Sequence, residues 1–335
     1  MIAQAATRRA HDERIPAFLC IDVEPDEFAL PEHGPASWAG YADMMRVVAR
    51  LRSSLASVAT ALPRFCWMLR MDRQVAATSG AAGYAVEAFS DDIATLIEAG
   101  DAFGIHVHPL RWSEPQGTWL HDFADSVWMA ECVEESFGSY SEVFEESPAI
   151  HRFGAGFLSE DLVALLERLG SRVDLTLEPG SPGAAPDEVP MTGELPNWIC
   201  APRVPYRPRQ RDYRRADSRN GRDIVMVPLT SARTRFEKPL SWRAARAIRR
   251  GFRSRPIPLN PWRAWPSAEY YWDLVAAELD AMPKPYLALA VRTDHPESVL
   301  GRRARLLLEH LPHHPVASRL RFVDPVNEVP ALCRR

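Results

Sequence analysis

Four short apolar runs in this chain end in a pair of polar side chains two residues apart, and that spacing restricts the fold more than any other feature. The pairs are Asp22 and Glu24, Arg70 and Asp72, His106 and His108, and Arg292 and Asp294. Side chains alternate across a strand, so residues two apart share a face. Charge on an inner face is costly unless it is partnered or bound to a metal. Its recurrence at the end of strand after strand predicts a barrel whose carboxyl ends carry a polar site. Arg152, at the end of a further run, and Asp174 and Glu178, around the next, extend the series.

The segments between these runs have helical period. Strands are predicted over 17–23, 64–71, 103–107, 149–153, 172–177, 223–229, 286–291 and 319–323. Helices are predicted over 41–62, 86–99, 122–144, 160–169, 242–251, 267–281 and 296–311. Regular alternation of strand and helix is the pattern of an α/β fold. Seven or eight strands suit a distorted (β/α)7-8 barrel, with an open doubly wound sheet as the other architecture. No GxGxxG or P-loop follows a strand, so nucleotide-binding folds built on those loops find no support.

The 335 residues fit one barrel domain, expected over 16–330 behind a disordered tail at 1–15. Between about 180 and 222 the pattern weakens into Pro, Gly and Arg, which reads as an insertion. A hydrophobic fraction of 46% and a net charge of −4 describe an ordinary globular chain and argue against a nucleic-acid binder. The five cysteines are scattered without a CxxC pair, as expected for reduced thiols in the cytoplasm. Neither a signal-peptide apolar region nor a membrane-spanning run is visible. Arginines between Arg203 and Arg255, interleaved with Tyr206, Tyr213, Trp242 and Phe252, form either a solvated basic face or a surface for anionic groups. The second alternative leaves peripheral membrane contact open.

His106 and His108 carry the sharpest local chemistry. Two imidazoles on one strand face can reach one divalent ion, and Glu24 on another strand end supplies an oxygen ligand. Asp22 beside it is then placed to act as general base toward the attacking water. Arg70, Asp72, Trp112 and Arg292 are candidate substrate-binding residues around the same mouth; Trp67, Trp119 and Trp128 lie near it in sequence. No GxSxG elbow is present for a serine nucleophile.

These residues also resemble a known family, the polysaccharide deacetylases of the NodB-homology (carbohydrate esterase) superfamily. FLCIDVEPD resembles the family's first motif, AGDAFGIHVHPLRW its second, and HRFGAGFLSEDLVALLERLG its Arg-containing third. RVDLTLEPG resembles the fourth, and LALAVRTDHP stands where the fifth offers a histidine. The resemblance implies a base at Asp22, metal ligands at Glu24 and His106, a groove-wall arginine at Arg152 and a general acid at His295. Leu110 stands where the family's second motif has its second histidine, leaving His108 as the substitute ligand. Strand parity offers Asp294 as an alternative acid. The implied activity is metal-dependent hydrolysis of the acyl amide of an amino sugar or related small glycan, a soluble precursor rather than a wall polymer, with one zinc ion as cofactor. The alternative is a deacetylase-like protein without turnover that binds glycan or assists its assembly.

Overall fold

Strand β1, Ile15–Val23, is buried along almost its whole length because both of its faces are covered. A strand covered on both sides reads as a continuous apolar run rather than an alternating one. The computed structural model describes residues 14–28, 30–58, 62–183, 191–217, 219–233 and 256–333. After β1 come β2 (Cys66–Arg70), β3 (Ala102–Val107), β4 (Leu110–Ser113) and β5 (Thr118–Asp122). Next are β6 (Ile150–Phe153), β7 (Val173–Asp174), β8 (Met191–Thr192), β9 (Pro208–Arg209) and β10 (Asp212–Ala216). The last are β11 (Val225–Met226), β12 (Ser231–Arg233), β13 (Pro256–Pro258), β14 (Leu287–Arg292) and β15 (Leu320–Phe322).

The main sheet runs β11–β7–β6–β3–β2–β1–β14, with β15 beside the start of β1. Its pairings are parallel. Just past β11, Thr230 bridges the remaining gap to β14. Its amide donates to the Ala288 carbonyl at 2.8 Å, and its hydroxyl accepts from the Ala288 amide at 2.9 Å. The fold is thus a distorted (β/α) barrel.

Around the sheet lie α1 (Ala39–Ala56), α2 (Arg73–Ser79), α3 (Tyr84–Ala88), α4 (Ser90–Glu98) and α5 (Ser126–Phe144). They are followed by α6 (Glu160–Arg168), α7 (Ala268–Ala281), α8 (Val299–His310) and α9 (Pro325–Cys333). Asp72, Asp125, Ser159, Ser267 and Ser298 each cap a helix by accepting from its first-turn amides. Each such cap contributes roughly 1 kcal/mol.

Strand parity sorts the apolar residues into two layers. Leu19, Ile21, Trp67, Ile105, Phe153 and Leu289 belong to the cluster beneath the helices. Phe18, Cys20, Met68, Ile150, Val225 and Ala288 form the second, inside the barrel. Asp22, Arg70, Arg152 and Arg292 continue the inner series by twos, so the polar ends face inward as the spacing predicts.

Several boundaries differ from the sequence expectation. The helix predicted from 122 begins at Ser126, because Asp122 ends β5, the return strand of an antiparallel hairpin with β4. The helix predicted over 86–99 is two, α3 and α4, meeting at Phe89. The first helix stops at Ala56, short of 62. Residues 191–216 include short strands, and β8 pairs with β5. The helix predicted over 242–251, and with it Trp242 and Phe252, lies outside the described residues. So does the expected N-terminal tail up to residue 13; Ile15 already belongs to β1.

Candidate metal centre and cleft

Glu24 follows β1 directly, and Thr293 past the end of β14 fixes its backbone. The Thr293 hydroxyl accepts from the Glu24 amide at 2.8 Å and donates to its carbonyl at 2.9 Å. The carboxylate therefore points inward at the carboxyl mouth, where β3 delivers His106 and the turn beyond it delivers His108. His106 Nε2 lies 3.5 Å from Glu24 Oε1, His108 Nε2 lies 3.3 Å from Glu24 Oε2, and the two Nε2 atoms are 2.9 Å apart.

The two sides that run to Glu24, 3.5 and 3.3 Å, have the length of ligand spacings in a metal site, and the two nitrogens stand closer, at 2.9 Å. A tetrahedral ion with bonds of about 2.0–2.2 Å spaces its ligands roughly 3.3–3.6 Å apart. Both carboxylate oxygens of Glu24 are buried without a hydrogen-bond partner among the described residues, and the arginines paired with them stand off at 3.7 Å (Arg292 Nε) and 3.8 Å (Arg70 Nη1), an incomplete compensation for a buried anion. His106 Nδ1 is 3.0 Å from the Arg152 carbonyl, which can only accept. The proton of His106 therefore sits on Nδ1 and leaves Nε2 a lone pair facing Glu24. Burial pushes the His108 imidazole well below its ordinary range against the pull of Glu24, so this ring is neutral. One carboxylate oxygen and two imidazole nitrogens fit a divalent ion of the zinc or iron(II) kind.

His108 reaches this position because residue 154 has no side chain. A Cβ on Gly154 would stand 2.3 Å from His108 Cε1 and Nε2. The ring occupies the space any other residue would fill, which is how a histidine two positions after His106 converges with it.

Asp22 sits beside this set. Arg152 Nε donates to both of its oxygens, at 3.2 and 3.0 Å, and Arg152 Nη1 is anchored on the Leu175 carbonyl at 3.0 Å. Glu178 pairs with Arg152 Nη2 at 3.4 Å. A cleft of about 210 Å³ opens over these groups. Asp22, Glu24, His106, His108, Arg152, Glu178 and Arg292 are among its polar lining, with Trp198, Trp262, Leu195 and Pro196 among its apolar walls.

Other expected residues lie elsewhere. Arg70 is fully enclosed, bonded to Asp72 at 2.7 and 3.0 Å and to Gln74 at 2.7 Å, and does not line the cleft. Asp72 is occupied by Arg70 and by capping α2. Trp112 packs edge-on against Trp119, 5.8 Å between ring centres, in the β4–β5 hairpin, and is likewise off the cleft. Asp294 is buried behind Arg292 and binds it through Nε at 2.8 Å and through Nη2. Burial, reinforced by the Glu24 charge and opposed by Arg292, pushes the Asp294 carboxyl up to about 6. His295 stands on a left-handed backbone with φ of 44°, its Nε2 3.7 Å from Asp294. Neither Asp294 nor His295 lines the cleft. Arg292 does, with its guanidinium 4.9 Å from the ring centre of Trp262.

Sequence reasoning passed over His121, Trp198, Trp262 and Gly154. His121 had a readable signal: LRWSEPQGTWLHDF alternates around a turn and spells a hairpin. The tryptophans come from irregular segments that have no period to read. Among the described residues, no helix is long and apolar enough to cross a membrane.

A solved structure bears out the barrel that the strand ends predict. A candidate glycoside hydrolase/deacetylase from Parabacteroides distasonis superposes with a TM-score of 0.55 at 13% identity, over 95% of this chain and 71% of its own. Puue allantoinase gives 0.48 at 13% identity, over 95% and 90%. A candidate polysaccharide deacetylase from Mycobacterium smegmatis gives 0.47 at 15% identity, over 96% and 91%. No family model and no curated protein sequence matches the chain.

Proposed function

We propose that this protein is a metal-dependent hydrolase that removes an acyl group from the amide of an amino sugar or related small glycan, with zinc as its ion. The observation that carries the reading is the pair of Glu24 oxygens, without a hydrogen bond among the described residues, facing two imidazole nitrogens in a cleft. A divalent ion held by Glu24, His106 and His108 would supply Lewis acidity to the acyl carbonyl and to the attacking water. Asp22 takes the proton of that water, with its carboxylate aimed by the two bonds from Arg152. The same carboxyl returns the proton to the departing amine, so one water and one amide yield one acid and one amine. This assignment replaces the expectation for Asp294 and His295, which do not line the cleft. Asp294 instead holds Arg292 toward the mouth. Trp198 and Trp262 offer flat apolar faces of the sort sugar rings stack on.

The test compares Asp22→Asn with Glu24→Gln. A general base contributes on the order of a hundredfold to ten-thousandfold in rate. Asp22→Asn should keep stoichiometric zinc by elemental analysis and lose that factor in acetate release from N-acetylated sugars. Glu24→Gln should lose the zinc first. The proposal fails if the wild-type protein purified in zinc binds none, or if Asp22→Asn retains wild-type turnover.

A further inference from the structure

His121 is the third imidazole at the centre, and neither the sequence motifs nor the hydrolase reading gives it a role. It is buried at the end of β5, where the β4–β5 register sets it opposite Leu110. Its ring stacks on Phe123, centres 5.3 Å apart and planes 14° apart, and Phe28 lies 6.2 Å away on a tilted plane. Phe123 in turn stacks on Phe157. The ring is thus held by packing, and its Nε2 lies 2.7 Å from His108 Nδ1.

That contact decides which nitrogen of His108 can bind an ion. A neutral imidazole offers one lone pair, and the nitrogen that binds must be the one without the proton. For His108 Nε2 to join His106 Nε2 and Glu24, the His108 proton must sit on Nδ1. A buried N–H needs an acceptor, and the group in reach is His121 Nε2. His106 meets the same requirement through the Arg152 carbonyl. We propose that His121 is the positioning residue of the metal centre: as the Nδ1–H tautomer its Nε2 accepts a hydrogen bond from His108 Nδ1–H, fixing the tautomer and direction of that ligand. The inference rests on the metal-site reading proposed above. It also gives the β4–β5 hairpin its purpose, which is to bring an acceptor under a ligand that sits two residues earlier than the motif pattern would place it. Outer partners of ligating histidines typically account for about 10- to 100-fold in metal affinity.

The test uses zinc alone, titrated into chelator-treated protein by calorimetry, with His121→Phe and His121→Gln beside the wild type. Phe keeps the flat stacked ring and removes the acceptor; Gln places an amide oxygen near the position of Nε2. His121→Phe should bind zinc about 10- to 100-fold more weakly, and His121→Gln should recover most of the loss. In the zinc-loaded wild type, imidazole nitrogen resonances should show the proton on Nδ1 of both His108 and His121. Equal zinc affinity in wild type and His121→Phe, or equal weakness in both variants, overturns the role of His121 while leaving the metal site standing. Absence of zinc binding by the wild type instead overturns the underlying reading. Melting of the metal-free variants identifies any loss due to unfolding, and the nitrogen spectrum of the wild type then decides alone.

Discussion

Gly154→Ala is the substitution that most sharply separates a metal centre from a cluster of buried histidines. The new Cβ would start 2.3 Å from His108 Cε1 and Nε2, against about 3.4 Å for ordinary contact. The imidazole or the backbone must therefore move by roughly 1 Å, the difference between those two distances. Metal–ligand bonds hold their length within about 0.2 Å, so a shift of that size removes His108 from any ion shared with Glu24 and His106. A misplacement of 1 Å costs on the order of a hundredfold where geometry matters. Overpacking alone costs about 1–3 kcal/mol of stability. Zinc affinity in Gly154→Ala should thus fall by about a hundredfold, matching His108→Ala. The metal-free protein should lose only the packing cost in a denaturant melt. An affinity equal to the wild type's, in a variant that carries the packing penalty, would refute the convergence of His108 on this site.

Two further outcomes follow from groups around the mouth. Asp294 is an acid whose folded-state carboxyl is raised to about 6 from 3.8. The folded protein therefore holds its proton longer than the unfolded chain, and stability falls as pH rises from about 4 to 6, then levels off. The metal-free Asp294→Asn protein should show a flatter stability curve across that window, and an unchanged slope would refute the role of the buried carboxyl. Trp262→Ala should raise KM for glycan substrates about two- to tenfold with little change in kcat, the worth of one stacked ring; equal loss in kcat would place Trp262 in the chemistry rather than in binding.

What the sequence made legible follows from periodicity. Strand parity alone puts Asp22, Arg152 and Arg292 on the inner face, and Glu24, His106 and His108 converge where β1 and β3 end. The sequence could not say which polar end would reach the cleft. Arg70 obeys the same parity as Arg152, yet it is enclosed because Asp72, the cap of α2, and Gln74, in its first turn, fold back to bind it. Asp294 and His295 fall past the end of β14, where the alternation of a strand no longer applies, and a left-handed residue turns the chain away from the mouth. The substitution of His108 for a histidine four places after His106 depended on a missing side chain 46 residues later than His108, at Gly154. Nothing in the local pattern of HVHPL encodes that space. The two halves of the site are therefore of different kinds: one is a consequence of strand geometry repeated along the chain, and the other is a set of tertiary accommodations, Gly154 and His121 foremost, each meaningful only once β3, β5 and β6 are side by side.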